Sequence, residues 1–180
     1  MNTKDIVFIA LFAALMAALG IFPPLTIPAI GVPITAQSMG VMLAGGILGS
    51  KRGALSMVLF LVLVGIGFPL LSGGRGGLGV FAGPSGGFLI GWIFAAYSVG
   101  FLTEKYWTKL NILIAGLFCI LGGVVLLYAI GVPWVAYAAS IPLSKAFIGS
   151  MGFVPGDLIK AIIAASIIVT VKRSYPLIKR

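Results

Sequence analysis

The chain contains no histidine. That removes the commonest general base and the commonest metal ligand. Acids are nearly as scarce: Asp5, Glu104 and Asp157 are the only three in 180 residues. So few carboxylates, so far apart, argue against a carboxylate-built metal site. Cys119 is the one cysteine, so no intrachain disulfide can form, and it reads as a small packed apolar residue. No G-K-[ST] triplet occurs, which excludes a P-loop and with it an ATPase within this chain. Charge of either sign is thin, at 8% of residues, where a soluble domain carries about a quarter.

What is abundant is apolar. Hydrophobic residues make up 61% of the chain and the mean hydropathy is +1.22. Lipid, not water, is the expected solvent for most of the surface. The length suits one domain covering residues 1–180. The net charge of +9 suggests nucleic acid only until its placement is read, because the charges sit where hydrophobic runs stop. None occurs over residues 6–50, 53–74, 76–103 or 110–144. A helix needs about 20 mostly apolar residues to cross a bilayer. Proline, glycine and charge divide the runs into six spans, roughly 6–22, 34–50, 53–71, 88–102, 112–130 and 155–171.

Pro23-Pro24 stops the first span, and residues 25–33, with Pro28, Gly31 and Pro33, read as a connector. Lys51-Arg52 reads as a tight charged turn, and residues 131–152 as a long connector with a short interfacial helix near 135–147. The first span has some features of a signal peptide, but five more spans follow, and it is read as retained. The predicted fold is an all-α integral membrane bundle of six transmembrane helices with both termini cytoplasmic. In that orientation the inside holds Lys4, Lys51, Arg52, Lys105, Lys109, Lys172, Arg173, Lys179 and Arg180, against Arg75 and Lys145 outside. This is the positive-inside asymmetry of a cell-membrane protein.

Against that background "FVPGDLIKAII" at 153–163 is unusual. Asp157 and Lys160 share one helix face at spacing i,i+3, about one turn inside the sixth span. Ionisable residues at such depth face a partner or a cavity. They can neutralise each other, or present one strong acceptor and one strong donor to a ligand, and the two readings are compatible. Gln37, one turn into the second span, needs partners of its own, in another helix or in a ligand. Arg75 is the one charge in the glycine-rich loop. Trp134 and Tyr137 read better as interfacial belt aromatics than as site walls.

Two motifs in that loop mislead. "GRGGLG" at 74–79 fits G-x-G-x-x-G, but a membrane span precedes it where a dinucleotide fold needs a strand. "GPSGG" at 83–87 carries the G-x-S-G of rhomboid proteases, whose histidine base is absent here. A Ser85–Lys160 hydrolytic dyad stays open as an alternative, although Asp157 would hold the lysine protonated. Small residues recur at packing distance: Gly45 with Gly49, Gly87 with Gly91, and the stripe Ala10, Ala14 and Ala18 on the first helix.

"GVPITAQSMGVMLAGGILGSKRGALS" at 31–56, "GRGGLGVFAGPSGG" at 74–87 and "FVPGDLIKA" at 153–161 resemble the substrate-binding (S) components of energy-coupling-factor (ECF) transporters, specifically the biotin-specific BioY family. The resemblance implies a six-helix prokaryotic plasma-membrane protein that captures biotin from outside with high affinity. It implies no cofactor, with biotin as transported ligand. Its implied partners are a transmembrane coupling (T) protein and two cytoplasmic ATPase subunits, docked through the stripe of Ala10, Ala14 and Ala18. Biotin's ureido ring offers N–H donors and a carbonyl, and its tail ends in a carboxylate. Asp157 suits a ureido N–H, Lys160 the ureido oxygen, Gln37 that same polar cluster, and Arg75 the carboxylate. Lys160 on the carboxylate is an equally reasonable assignment. An S component for another vitamin and a passive facilitator remain as alternatives.

Overall fold

The computed structural model describes residues 2–27 and 32–178. Helix α1 (Thr3–Gly20) opens on a capping box, in which the Asn2 side chain accepts from the Asp5 N–H and the Asp5 carboxylate accepts from the Asn2 N–H. The connector after it, predicted as irregular, contains two short antiparallel strands, β1 (Leu25–Ile27) and β2 (Val32–Ile34), with Leu25 opposite Ile34. Pro28 and Gly31 of that connector, and Lys179 and Arg180 at the C-terminus, lie outside the described residues.

Helices α2 (Gln37–Leu48) and α3 (Ser50–Gly65) reverse direction on Gly49. Its φ of +87° suits glycine, and a Cβ there would press on Glu104 Oε1. Lys51 and Arg52 are therefore not the turn the sequence suggested; they lie in the first turn of α3. The helix also stops at Gly65, short of the predicted span end at 71. Glu104 secures the reversal from across the bundle. Its carboxylate accepts from the Ser50 N–H and from Ser50 Oγ, each at 2.8 Å, an anion against a helix N-terminus.

A one-turn helix α4 (Gly79–Ala82) leads into α5 (Gly86–Lys105), the central helix, which packs on α2, α3 and the following helices. After a 3-10 turn (Trp107–Lys109), α6 (Ile112–Ile120) passes through a π-helical segment (Leu121–Leu126) into α7 (Leu127–Ala138) as one run of 27 residues. The predicted span ended at 130, with a connector expected from Gly131 on. Pro133 removes one N–H but is exposed, while Val132 and Val135 beside it are buried, so packing carries the helix on to Ala138. The π segment turns Gly122 towards Val99 of α5 and Gly123 towards the Met42 side chain of α2, where any larger residue would collide. The helix predicted near 135–147 is instead α8 (Leu143–Met151), set off by Ser140 at φ +52° and by Pro142. Helix α9 (Val154–Ser174) closes the bundle, with Pro155 in its first turn.

Among the described residues four helical runs are long and apolar enough to cross a membrane: Thr3–Gly20, Gly86–Lys105, Ile112–Ala138 and Val154–Ser174. Helix α2 is shorter, 12 residues, and almost wholly buried between α3, α5 and α9. The molecule is an all-α multi-span membrane protein apart from the small β1–β2 pair, and one apolar core runs through its long helices. At one end of the bundle Arg52 donates to Asp5 Oδ1, to Leu48 O and to Leu177 O, joining α1, α2 and the C-terminal segment.

Small residues set the helix spacing. A Cβ on Gly45 would strike the Ala96 carbonyl of α5, and one on Gly87 would strike Trp134 of α7. Gly45→Leu is therefore expected to force α2 from α5 and destabilise the protein by about 1–3 kcal/mol or more. Thermal unfolding in detergent checks this, and a midpoint equal to wild type would mean the two helices part freely.

Candidate functional site

Opposite the Arg52 end, the first turns of α9 bring Asp157 and Lys160 together as the spacing predicted. Lys160 Nζ lies 2.9 Å from Asp157 Oδ1, and both side chains are largely buried. The aspartate also complements the helix N-terminus. Neither charge is left with its partner alone. Lys160 donates to Thr35 O at 2.7 Å and to Ser38 Oγ at 3.0 Å. Ser38 Oγ lies 3.1 Å from Asp157 Oδ1. Tyr128 OH donates to Asp157 Oδ2 at 2.5 Å. Three N–H donors on the ammonium thus meet three acceptors, while the carboxylate keeps spare acceptor capacity on Oδ2. The cluster unites the segment leading into α2, α7 and α9.

Tyr128 links this cluster to an apolar cavity of about 730 Å³ between α7, α8 and the start of α9, which Val132, Phe147 and Val154 also line. Its ring stands edge-on to Phe88 with centroids 5.6 Å apart. A charged donor–acceptor pair beside an apolar cavity of a few hundred cubic ångströms suits a small amphiphilic molecule.

Gln37 does not join this cluster. Its amide nitrogen donates to Met16 O at 2.9 Å and to Leu70 O at 3.1 Å, and its oxygen accepts from the Ser72 N–H and Ser72 Oγ at 3.1 and 3.4 Å. All the capacity of the amide is used within the protein, and the residue is 1% exposed. Arg75 sits on a tight hairpin, with reciprocal backbone bonds to Leu71 across Gly73 and Gly74, both at positive φ. Its guanidinium donates to Ser72 O and to Ser85 Oγ. Partial burial draws it below its ordinary pKa, yet an arginine stays charged. Among the described residues no hydrogen bond or ion pair joins Arg75 to Asp157 or Lys160.

The Ser85–Lys160 dyad is not formed. Ser85 is engaged by Arg75, and every bond of Lys160 runs to Thr35, Ser38 or Asp157. Trp134 is no free belt residue: its indole N–H donates to Gly83 O. Tyr137 is exposed. Ala10, Ala14 and Ala18 all lie on the exposed face of α1, with Val7, Leu11 and Ile21. Sequence reasoning missed Tyr128, Ser38 and Thr35. The one available signal was a phenol in mid-span, which in lipid needs a polar partner.

A helical membrane bundle with a buried ion pair opposite its basic end and close to an apolar cavity suits a small-molecule carrier or receptor. The BioY family model matches residues 1–177, and the chain belongs to that family. It is 49% identical over 183 residues to the biotin transporter BioY of Rhizobium etli, covering 99% of this chain and 98% of that protein. It is 43% identical to the biotin transporter BioY of Rhodobacter capsulatus, over 96% and 95% of the two chains. Among solved structures it superposes with a TM-score of 0.91 at 37% identity, over 96% of this chain and 95% of the other, on the S-component for biotin from an ECF-type ABC transporter. It is a transport component and not an enzyme.

Removing one member of a buried pair strands the other charge. Lys160→Met is expected to cost about 3–5 kcal/mol, and Asp157→Leu with Lys160→Met less than the sum of the two single changes. Denaturation of the three variants in detergent checks this; additive losses would mean the pair acts as two independent residues.

Proposed function

We propose that this chain is the high-affinity biotin-binding S component of an ECF-type uptake transporter, taking biotin from outside the cell. The observation that carries the reading is the buried Asp157–Lys160 pair in a chain of the BioY family whose fold matches that of a biotin S component. Biotin itself is the cargo. Its ureido ring pairs with Asp157 and Lys160, its apolar ring fills hydrophobic space beside Tyr128, and its carboxylate meets Arg75. Gln37 contributes from beneath, by fixing the hairpin of Arg75.

The chain forms one membrane domain that crosses six times, by α1, α2, α3, α5, the α6–α7 run and α9, with both termini cytoplasmic. Contacts that tie the inner-facing basic segments to one end support this: Arg52 with Asp5 and Leu177 O, and Lys172 with Leu110 O. The exposed stripe of Ala10, Ala14 and Ala18 docks a transmembrane coupling protein that carries two cytoplasmic ATPase subunits. Alanines there allow close helix approach, and lipid is their one neighbour until the partner arrives.

Titration of the purified protein with biotin by tryptophan fluorescence or calorimetry tests the reading. Saturable binding at roughly one to one and nanomolar concentration is expected; folded protein that ignores biotin up to high micromolar overturns it. Asp157→Asn should weaken binding by about 2 kcal/mol or more, roughly thirtyfold, with the protein still folded. Ala14→Trp should abolish co-purification with the coupling protein and uptake while sparing biotin binding. A stable complex with the variant would remove α1 as the docking face.

A further inference from the structure

The Gln37 amide is a buried side-chain group that ties two segments far from it in sequence to one point: α1 through Met16 O, and the stretch from the α3 exit into the Arg75 hairpin through Leu70 O and Ser72. Ser72 is itself 0% exposed and passes the connection on, because its carbonyl accepts from Arg75 Nε. Arg75 in turn donates to Ser85 at the start of α5. The sequence of contacts runs Met16–Gln37–Ser72–Arg75 without a gap. It starts on the helix whose opposite face shows Ala10, Ala14 and Ala18, and ends on the guanidinium assigned to the ligand.

Two further observations make this junction tight. A Cβ on Gly20 would strike the Leu70 carbonyl and crowd Gln37 Nε2, so the outer end of α1 lies directly against the α3 exit segment. A surface cleft of about 680 Å³ is lined jointly by Ala17 and Ala18 of α1 and by Leu70, Gly73 and Gly74 of the hairpin region. Whatever packs along α1 thus meets the hairpin as well.

Resting on the biotin reading above, we infer that Gln37 is a positioning residue that couples the Arg75 hairpin to α1, so that ligand at Arg75 is felt at the docking helix. The physical reason is saturation. The amide has two N–H groups and two acceptor sites, all occupied, and no water-facing surface on which to find replacements. A shift of the hairpin must either move Met16 and Leu70 with it or leave a buried amide unpaired, and the second outcome is the costly one. By linkage, a partner that fixes α1 then biases the hairpin to the same degree.

Hydrogen exchange read by mass spectrometry, on the full chain in nanodiscs with and without saturating biotin, tests this. In wild type, biotin is expected to slow exchange at least threefold both in the hairpin (residues 70–76) and at the outer end of α1 (residues 16–22). In Gln37→Met, which keeps the volume and removes the bonds, biotin binds with lowered affinity and still slows the hairpin, but the α1 response falls below 1.5-fold. Should Gln37→Met fail to fold, Gln37→Asn, which withdraws the amide by one methylene, is read in the same way. An α1 response that survives in the variant, or that is missing in wild type while the hairpin responds, overturns the coupling alone. A wild-type hairpin that ignores biotin in protein shown by titration to bind it overturns the Arg75 assignment and this inference with it, whereas absence of binding in the titration overturns the biotin reading itself.

Discussion

A side chain that can hydrogen-bond has no neutral place to stand inside hydrocarbon, and this constraint orders the whole molecule. Among the described residues three sets of hydrogen-bonded polar groups cross the bundle, while Ser56 bonds within its own helix and Ser150 Oγ is buried without a partner. Asp157 and Lys160 close with Thr35, Ser38 and Tyr128. Gln37 closes with Met16, Leu70 and Ser72. Glu104 closes with Ser50. Each set spans helices far apart in sequence, so each acts as a pin through the bundle. The apolar remainder packs around these pins through glycines at the points of closest approach.

The same constraint fixes how much hydrogen-bonding capacity each member of the ion pair has left. The carboxylate of Asp157 keeps acceptor capacity, so an incoming N–H needs no rearrangement there. The ammonium of Lys160 has none left over, and it must release Thr35 O or Ser38 before it donates to anything new. Thr35 lies between β2 and α2, so the segment before α2 is tied to the same lysine. The ion pair and the order of that segment draw on one set of N–H bonds.

Much of the architecture was legible in the sequence because membrane spans announce themselves by what they lack. The apolar runs located the long helices, and the i,i+3 spacing of Asp157 and Lys160 gave their ion pair. The errors have local causes. The fifth span was ended at 130, but packing of Val132 and Val135 carries the helix past Pro133 to Ala138. Lys51 and Arg52 read as a turn because charge usually marks one, whereas the reversal belongs to Gly49. The π segment at Leu121–Leu126 leaves no trace in hydropathy; it answers to the depth at which Gly122 and Gly123 meet other helices. The candidate site was half visible for a similar reason. A charge in a greasy run stands out alone, but the residues that complete it, Tyr128 and Ser38, are 29 and 119 positions away from Asp157. Gln37 stood out correctly as a residue needing partners, while which partners it takes depends on how α1 and the hairpin fold over it.

Arg52 has one more consequence. Its guanidinium holds Asp5, near the start of the chain, and the Leu177 carbonyl, near the end, at 3.2 and 2.9 Å. The first turn of α1 and the segment after α9 therefore lie side by side, at the end of the bundle away from the candidate site. A short peptide bridge joining them, with a new opening cut in an exposed turn such as that around Ser140, would give a circular permutant with every helix neighbour preserved.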